Sequence, residues 1–279
     1  MTVMSLQIIT VELRRWIAAQ NQAGLSAEAV LDAMIASGWE RAVAIGAVAE
    51  LRREVAPRPA PGAMPQPALA DASNTLWAGN REVQVVSAMT LPRVVVFGGL
   101  LDAAECNQLV ALARERLERS ETVALQTGGS EVNTARTSEG MFFARGENPL
   151  VTLIEARIAA LLQWPVENGE GLQILRYRPG AEYKPHYDYF DPTQPGAPSI
   201  LLRGGQRLAT VVIYLNTPLR GGATTFPAVG LEVMPVRGNA VFFSYERPHP
   251  DTRTLHGGAP VLEGEKWVAT KWLREGRFD

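Results

Sequence analysis

The feature that most restricts how this 279-residue chain can fold is a proline-rich stretch between residues 56 and 67. Its prolines are Pro57, Pro59, Pro61, Pro65 and Pro67. Proline has no backbone N–H and fixes φ, so neither a helix nor an internal strand can continue through this stretch. We therefore predict a semi-rigid linker over residues 56–75, which separates a small unit at residues 1–55 from a larger one at residues 76–279.

The N-terminal unit shows the periodicity of helices. Apolar residues recur at three- and four-residue steps, which is the spacing of one helical face, at Leu6, Ile9, Leu13, Trp16 and Ile17. Two further helices are predicted at residues 26–38 and at about residues 40–53. We expect residues 1–55 to form a small helical bundle that serves as a docking or oligomerisation element for a protein partner.

The larger unit begins with helices and continues with strands. Asp102 can cap a helix that buries Cys106, and a second helix is predicted at residues 150–162. Apolar, β-branched and aromatic runs predict strands at residues 94–97, 172–177, 208–215, 240–244 and 266–273. This order indicates an α+β domain that contains a sandwich or barrel of antiparallel strands.

Charge and cysteine content exclude several classes of protein. The formal net charge is -2 and the pI is about 6.0, which argues against a nucleic-acid partner. Cys106 is the only cysteine, so we expect a core residue rather than a disulfide or a nucleophile. We see neither a signal-peptide pattern nor the roughly 20 apolar residues that span a bilayer. We therefore expect a cytoplasmic protein that does not bind membranes.

Two of the three histidines have the spacing of metal ligands. His186 and Asp188 alternate along an extended segment, which places both side chains on one side, and His256 lies between two predicted strands. Two imidazoles and one carboxylate form the facial triad of non-haem Fe(II) oxygenases, which keeps coordination positions open. Zinc hydrolases can use the same ligands, but their helical His-Glu-x-x-His motif is absent here. His249, between two prolines, is assigned no role.

A lysine begins the last predicted strand. By strand alternation Lys266 shares a face with Val268, Thr270 and Trp272. A buried, unpaired ammonium is unfavourable, so a lysine on the inner face of a barrel requires an anion. We expect that anion to be the carboxylate of a keto-acid co-substrate. The alternative is a surface lysine at the strand entrance.

Four stretches of the sequence resemble one known family. Residues 172–190, 206–215, 221–224 and 255–266 are similar to the prolyl 4-hydroxylases, which are Fe(II)- and 2-oxoglutarate-dependent dioxygenases. The ten-residue step from His256 to Lys266 also matches the family. The resemblance extends from about residue 94 to the C-terminus. It implies a double-stranded β-helix (jelly-roll) core over residues 168–275 with flanking helices, and the lack of cysteine pairs favours the bacterial, cytoplasmic type.

The resemblance also implies cofactors and the residues that hold them. It assigns Fe(II) to His186, Asp188 and His256, and the 2-oxoglutarate carboxylate to Lys266, Tyr177 and Thr224. It implies O2 as the second co-substrate and allows ascorbate as an additional reductant. The implied reaction couples hydroxylation of a substrate to the oxidative decarboxylation of 2-oxoglutarate to succinate and CO2.

The family further suggests a substrate groove and a lid. Residues of the expected type occur at Arg136, Ser138, Glu170, Tyr183, Arg207 and Trp272. Three of these groove residues are charged, and they could equally form a structural charge network. Residues 126–133 are small and polar, which suggests a mobile lid.

Three functions remain open on the sequence. The leading one is hydroxylation of a proline-containing peptide or protein, which the retained groove residues favour. The second is hydroxylation of a free amino acid or small metabolite by the same chemistry. The third is a non-catalytic binding or sensing protein, although an intact triad argues against it.

Overall fold

A computed structural model describes residues 9–22, 27–41, 43–45, 47–48, 60, 62–69, 73–123, 130–132 and 136–278. The helices are α1 (Val11–Gln22), α2 (Ala27–Ala36), α3 (Ala103–Arg114), α4 (Pro149–Leu162) and α5 (Ala197–Leu201). The strands are β1 (Thr75–Trp77), β2 (Glu82–Met89), β3 (Arg93–Gly98), β4 (Glu118–Arg119), β5 (Glu121–Val123), β6 (Ser130–Val132), β7 (Glu139–Phe143), β8 (Leu172–Tyr177), β9 (Tyr183–His186), β10 (Arg207–Tyr214), β11 (Arg220–Gly221), β12 (Thr224–Phe226), β13 (Leu231–Val233), β14 (Ala240–Ser244), β15 (His256–Gly258), β16 (Val261–Glu263) and β17 (Lys266–Arg274).

The elements predicted in the larger unit are confirmed. Strands β8 and β14 have the predicted bounds, β3 and β10 differ from theirs by one residue at each end, and β17 extends one residue further at its C-terminal end. Helix α3 begins with a capping box, in which the Asp102 carboxylate accepts from the Glu105 amide and the Glu105 carboxylate accepts from the Asp102 amide. Asn148 caps α4 by accepting from the Val151 amide at 3.0 Å.

The strands form two main antiparallel sheets. The larger has nine strands in the order β1-β2-β3-β14-β10-β17-β8-β7-β4, and the smaller has four in the order β13-β12-β15-β9. Two short pairs, β11-β16 and β5-β6, and the isolated bridges Arg136–Tyr183 and Gly169–Leu273 complete the pairing in the described part of the chain. Neighbouring strands that are far apart in sequence, such as β17 between β10 and β8, are consistent with the jelly roll implied by the sequence.

The nine-stranded sheet separates two apolar clusters. Side chains on one face pack with helices α3 and α4, and Trp267 and Ala269 belong to this cluster. Side chains on the opposite face pack against the smaller sheet, and Val268 and Tyr214 belong to that cluster. The alternation predicted for β17 is therefore confirmed. All of β17 is buried because both faces of the sheet are covered.

The N-terminal residues have an apolar cluster of their own. Besides α1 and α2, residues 41, 43–45 and 47–48 are helical. The buried members of the cluster are Ile17, Val30, Leu31, Met34, Ala44, Ala47 and Val48. The rest of the third helix predicted at residues 40–53 lies outside the described residues. No helix in the part of the chain that the structure describes is long and apolar enough to cross a membrane.

Part of the proline-rich segment lies against the β-rich unit. Pro65 and Pro67 are buried, and the Gln66 amide donates to the Leu162 carbonyl at the end of α4 at 2.9 Å. Ala63, Met64 and Leu69 pack on the cluster beneath α3 and α4. Residues 62–69, predicted to belong to a linker, thus contribute to the packing of the larger unit.

Candidate metal centre and its pocket

Two histidines meet because strands β9 and β15 pair closely. His186 ends β9, His256 begins β15, and the two are register partners. Their ring centroids are 4.4 Å apart. A Cβ atom on Gly257 would lie 2.8 Å from the Tyr183 carbonyl oxygen, so only a glycine allows this approach.

Asp188 completes the metal centre, a name used here for His186, Asp188 and His256. Its Oδ1 lies 3.6 Å from His186 Nε2 and its Oδ2 lies 3.4 Å from His256 Nε2. One ligand atom from each residue can be chosen so that all lie within 4.8 Å of one another. The sequence predicted one extended segment through His186 and Asp188. Instead, the strand ends at His186 and the chain bends at Asp188.

The histidines present free nitrogen lone pairs towards this point. Nδ1 of His186 donates to the Lys184 carbonyl and Nδ1 of His256 donates to the Thr254 carbonyl, both at 2.9 Å. Since a carbonyl can only accept, the proton of each neutral ring is on Nδ1 and Nε2 is available as a ligand. Burial, followed by the nearby His256, lowers the pKa of His186. Neutral imidazoles are the form that binds metals.

Asp188 is held by residues that the sequence analysis missed. Thr210 Oγ1 donates to Asp188 Oδ2 at 2.7 Å, and the Tyr245 hydroxyl lies 3.1 Å from Thr210 Oγ1. Burial alone would raise the pKa of Asp188, but the neighbouring His256 and His186 outweigh it, so the pKa lies well below its usual value. Asp188 therefore offers a carboxylate to the point where the Nε2 atoms of His186 and His256 converge. Strand alternation could have indicated Thr210, because it shares a face of β10 with Tyr214.

Lys266 is buried beside strand β15, the strand that also carries His256. Burial lowers its pKa to about 8, and no carboxylate or other hydrogen-bonding group among the described residues pairs with its ammonium. Its Nζ is 5.4 Å from the centroid of the Tyr177 ring and 5.8 Å from that of Tyr214. Tyr214 was not predicted, and its hydroxyl donates to Thr224 Oγ1 at 2.8 Å. Lys266, Tyr177 and Thr224 are thus brought together as predicted.

Glycine keeps the space beside this ammonium free. A Cβ atom on Gly258 would lie 3.8 Å from Lys266 Nζ. Gly258 is also the register partner of Thr224 and lies two residues after His256. The lysine pocket and the metal centre therefore share strand β15.

Three predicted groove residues form a buried cluster beside Asp188. Glu170 accepts two hydrogen bonds from Arg207, at 2.7 and 2.9 Å, and one from Arg274 at 3.2 Å. The Arg207 guanidinium stacks on Trp272 at 4.1 Å and donates to the Asp188 carbonyl at 3.4 Å. Glu170 and Arg207 are therefore parts of a structural charge network, as the alternative interpretation expected. Arg274 is a member that the sequence analysis missed.

The other predicted groove residues form a second cluster, which reaches His186 through Tyr183. Arg136 donates to Ser138 Oγ at 3.2 Å and to Gln173 Oε1 at 2.9 Å, and its guanidinium lies 4.9 Å from the Tyr183 ring centroid. Tyr183 stacks on His186 with a centroid distance of 3.7 Å, and burial raises the pKa of its hydroxyl to about 12.

The predicted lid is only partly described. Residues 130–132 form β6, which pairs with β5, and the remainder of residues 126–133 lies outside the described residues. The lid therefore stays a prediction.

Comparisons with known proteins identify similar chains. A family model described as the 2OG-Fe(II) oxygenase superfamily matches residues 172–274. Prolyl 4-hydroxylase 1 of Arabidopsis thaliana is 42% identical over 217 residues, covering 72% of this chain and 74% of that protein. Prolyl 4-hydroxylase 2 of the same plant is 39% identical over 219 residues, covering 70% and 72%. Among solved structures, a viral collagen prolyl hydroxylase of Paramecium bursaria Chlorella virus-1 in complex with 2OG has a TM-score of 0.50 at 30% identity, covering 65% of this chain and 95% of that one.

Proposed function

The chain belongs to the prolyl 4-hydroxylase family of Fe(II)- and 2-oxoglutarate-dependent dioxygenases, and from this premise we propose that it hydroxylates prolyl residues of a peptide or protein. Enzymes of this superfamily need Fe(II), 2-oxoglutarate and O2. When bound, the iron and 2-oxoglutarate supply the oxidation that inserts oxygen into a C–H bond, while 2-oxoglutarate becomes succinate and CO2.

The donor atoms of the metal centre fit ferrous iron. Nε2 of His186, Nε2 of His256 and the Asp188 carboxylate converge on one point, and a backbone carbonyl engages Nδ1 of each ring so that Nε2 faces this point. Asp188 and His256 are almost fully buried, whereas the His186 side chain is 21% exposed. The centre is therefore buried on the side of Asp188 and His256 and open on the side of His186. A substrate can approach from the open side.

The observation that carries this proposal is the Lys266 ammonium, which has no counter-ion among the described residues and lies beside strand β15 of the metal centre. A buried cation without a counter-ion is unfavourable, and the distal carboxylate of 2-oxoglutarate would neutralise it. The Tyr177 ring lies 5.4 Å from this ammonium, Thr224 is hydrogen-bonded to the neighbouring Tyr214, and their hydroxyl groups would satisfy the remaining lone pairs of that carboxylate. The keto-acid end of 2-oxoglutarate would then be available to a metal held by His186, Asp188 and His256.

The groove suits a proline-containing peptide better than a charged metabolite. The charged side chains of Arg136, Glu170 and Arg207 are already held by protein partners. By contrast, the buried Trp272 Nε1 has no hydrogen-bond acceptor among the described residues. Phe142 is 51% exposed, with its ring 6.4 Å from that of Trp272. An indole donor beside an aromatic surface fits a backbone carbonyl and a pyrrolidine ring.

Two further features belong to the same proposal. A cytoplasmic location is supported by the single, buried Cys106, whose pKa burial raises to about 11. A docking role for residues 1–55, as a helical bundle, is supported by the separate apolar cluster around Val30 and Met34.

The test is succinate formation by anaerobically purified protein after addition of Fe(II), 2-oxoglutarate and air. Peptides with proline should stimulate turnover and gain the mass of one oxygen atom, whereas the same peptides with alanine at those positions should do neither. Turnover that no peptide stimulates would instead favour a free amino acid or metabolite. Bound iron without any turnover would favour the binding or sensing function.

A matched pair of variants ties the activity to the metal centre. Asp188→Ala should abolish succinate formation, because it removes the carboxylate ligand. Asp191→Ala removes a carboxylate three residues away that bonds only to its own loop, at Thr193 and Gln194, and should stay active. Full activity of Asp188→Ala would refute the assigned ligands.

A further inference from the structure

A chain of buried hydroxyl groups leads to one oxygen of Asp188. The Tyr245 hydroxyl lies 3.1 Å from Thr210 Oγ1, which lies 2.7 Å from Asp188 Oδ2. Thr210 and Tyr245 are fully buried, at 0% and 1% exposure. We refer to Tyr245 and Thr210, whose hydrogen bonds end at Asp188, as the hydroxyl chain.

The direction of these hydrogen bonds follows from the chemistry of the groups. An ionised carboxylate can only accept, so Thr210 must donate its single hydroxyl proton to Asp188. Thr210 Oγ1 has no second proton and therefore accepts from the Tyr245 hydroxyl. Both hydrogen bonds thus point towards Asp188 Oδ2, and each strengthens the other.

The sheet holds this chain in a fixed position. Thr210 lies in β10 between its register partners Trp272 on β17 and Phe243 on β14. The Tyr245 amide donates to the Leu208 carbonyl at 3.0 Å, which anchors the residue to the same strand. The hydroxyl groups therefore approach Asp188 from rigid backbone, and a branched threonine side chain has few alternative rotamers.

From this geometry we propose that Thr210 and Tyr245 are positioning residues that make Asp188 bind the metal through Oδ1 alone. Distances to the imidazoles do not distinguish the two oxygens, which lie at 3.6 and 3.4 Å from their nearest ring nitrogens. The hydroxyl chain does distinguish them, because it engages Oδ2 only. The hydrogen bond uses one lone pair of Oδ2 and holds the carboxylate in place, which favours Oδ1 as the ligand atom.

The consequence concerns the number of open coordination positions. Two imidazoles and one carboxylate oxygen leave room for a bidentate keto acid and for O2. A carboxylate bound through both oxygens would occupy one of these positions. The hydroxyl chain therefore keeps 2-oxoglutarate and O2 from competing for the same position. This inference rests on the metal centre assigned under the proposed function.

The test uses Co(II), which reports coordination in its visible spectrum, on the full-length protein without O2. Thr210→Val removes the hydroxyl but keeps the shape. It should weaken Co(II) binding by about tenfold or more, alter the visible spectrum, and reduce the spectral change that 2-oxoglutarate produces. Thr210→Ser keeps the hydroxyl and should restore all three. Tyr245→Phe removes only the outer donor and should give an intermediate change.

Thermal unfolding separates positioning from a purely structural effect. A structural role would lower the melting temperature of Thr210→Val without changing the spectrum of bound Co(II). A wild-type spectrum and wild-type Co(II) affinity in folded Thr210→Val would overturn the proposal, and wild-type behaviour of Tyr245→Phe would remove Tyr245 from it. If Thr210→Val does not fold, Tyr245→Phe alone decides.

Failure of the proposed function gives a different result. Wild-type protein that binds Co(II) but forms no succinate would contradict the hydroxylase activity, while the comparison of Thr210 variants could still support the positioning role. Wild-type protein that binds no Co(II) would contradict both.

Discussion

Lys266 is a single residue whose charge depends on what lies beside it. Its pKa is lowered from 10.5 to about 8 by burial. In the unfolded chain the lysine keeps its proton up to the higher value, so between the two values only the unfolded chain is protonated. The free energy of unfolding of the ligand-free protein should therefore rise with pH through this window. Binding of 2-oxoglutarate, a dianion, instead requires the protonated ammonium form of Lys266.

We accordingly predict that the affinity for 2-oxoglutarate falls as the pH rises above about 8, approaching tenfold per pH unit. Isothermal titration of the anaerobic Fe(II) protein across this range measures it. Lys266→Arg should remove the pH dependence, because a guanidinium stays charged. An affinity in the wild type that does not vary with pH would contradict the assigned role.

Removal of the charge itself should have a larger effect. Lys266→Ala should weaken 2-oxoglutarate binding by about 3 kcal/mol, since a carboxylate bound there would lose the cation that pairs with it. The matched control is Lys184→Ala, which removes an exposed ammonium next to the metal centre and keeps the carbonyl that binds His186. Equal affinities in these two variants would show that Lys266 does not bind the co-substrate.

At the scale of elements, strand β15 joins the metal centre to the lysine pocket through two adjacent glycines. A Cβ atom on Gly257 would press on the backbone of β9, at 2.8 Å from the Tyr183 carbonyl oxygen. A Cβ atom on Gly258 meets only ordinary contacts but enters the space beside Lys266 Nζ, at 3.8 Å. The same addition of a methyl group should therefore have different effects at the two positions.

For Gly257→Ala we expect weaker metal binding, by about tenfold or more, because His256 moves away from His186. For Gly258→Ala we expect near-normal metal affinity and a raised Kd for 2-oxoglutarate. Titrations with Co(II) and then with 2-oxoglutarate measure both quantities. If both variants lost only Co(II) affinity, or both lost only 2-oxoglutarate affinity, the assignment of the two pockets would be disproved.

The charge network beside β17 is a second element with a testable role. Burial by itself would raise the pKa of Glu170, but Arg207 and Arg274 outweigh it and the pKa is lowered. The stabilisation from this carboxylate is therefore present at neutral pH and is lost as the pH falls through its lowered pKa. A substitution that deletes it would leave two buried guanidinium groups without their anion.

Glu170→Ala should therefore lower the free energy of unfolding by about 3–5 kcal/mol, as measured by urea denaturation. Glu147→Ala, which breaks the partly exposed pair with Arg116, serves as the control and should change it little. The difference in free energy of unfolding between the two variants should become smaller at acidic pH. A loss in Glu170→Ala no greater than in the control would show that the network does not stabilise the fold.

At the scale of the whole molecule, the proline-rich segment bears on where the catalytic unit begins. Pro65, Pro67 and the Gln66 amide contact the β-rich unit, although the composition of the segment indicates a linker. Their contribution is apolar packing together with one backbone hydrogen bond to the end of α4. The segment up to residue 59 lies outside the described residues.

Two truncations test whether residues 62–69 belong to the linker or to the catalytic unit. A chain that starts at residue 60 should keep the melting temperature of the catalytic unit and its 2-oxoglutarate turnover. A chain that starts at residue 73 exposes the surface that Ala63, Met64 and Leu69 cover, and should melt several degrees lower, about what is expected when 1–2 kcal/mol is lost. Identical melting temperatures would assign residues 62–69 to the linker after all.

Local sequence signals predicted a large part of this protein. Alternation placed Lys266 and Trp272 on one face of β17, and Asp102 marked the start of α3. The rarity of histidine and the spacing of His186, Asp188 and His256 identified the metal centre, because ligand chemistry depends on residue type. These features depend on neighbours a few residues away, so they can be read from the order of amino acids.

The tertiary structure decided how distant residues complete the site. The bend at Asp188 is held by Thr210 and Tyr245, which come from other strands. Tyr214 reaches Thr224, and Arg274 reaches Glu170, only because β10 and β17 occupy the middle of the nine-stranded sheet. Strand order and register are set by packing across the whole domain, so the sequence alone determined which groups carry the chemistry, and the fold determined which of them touch.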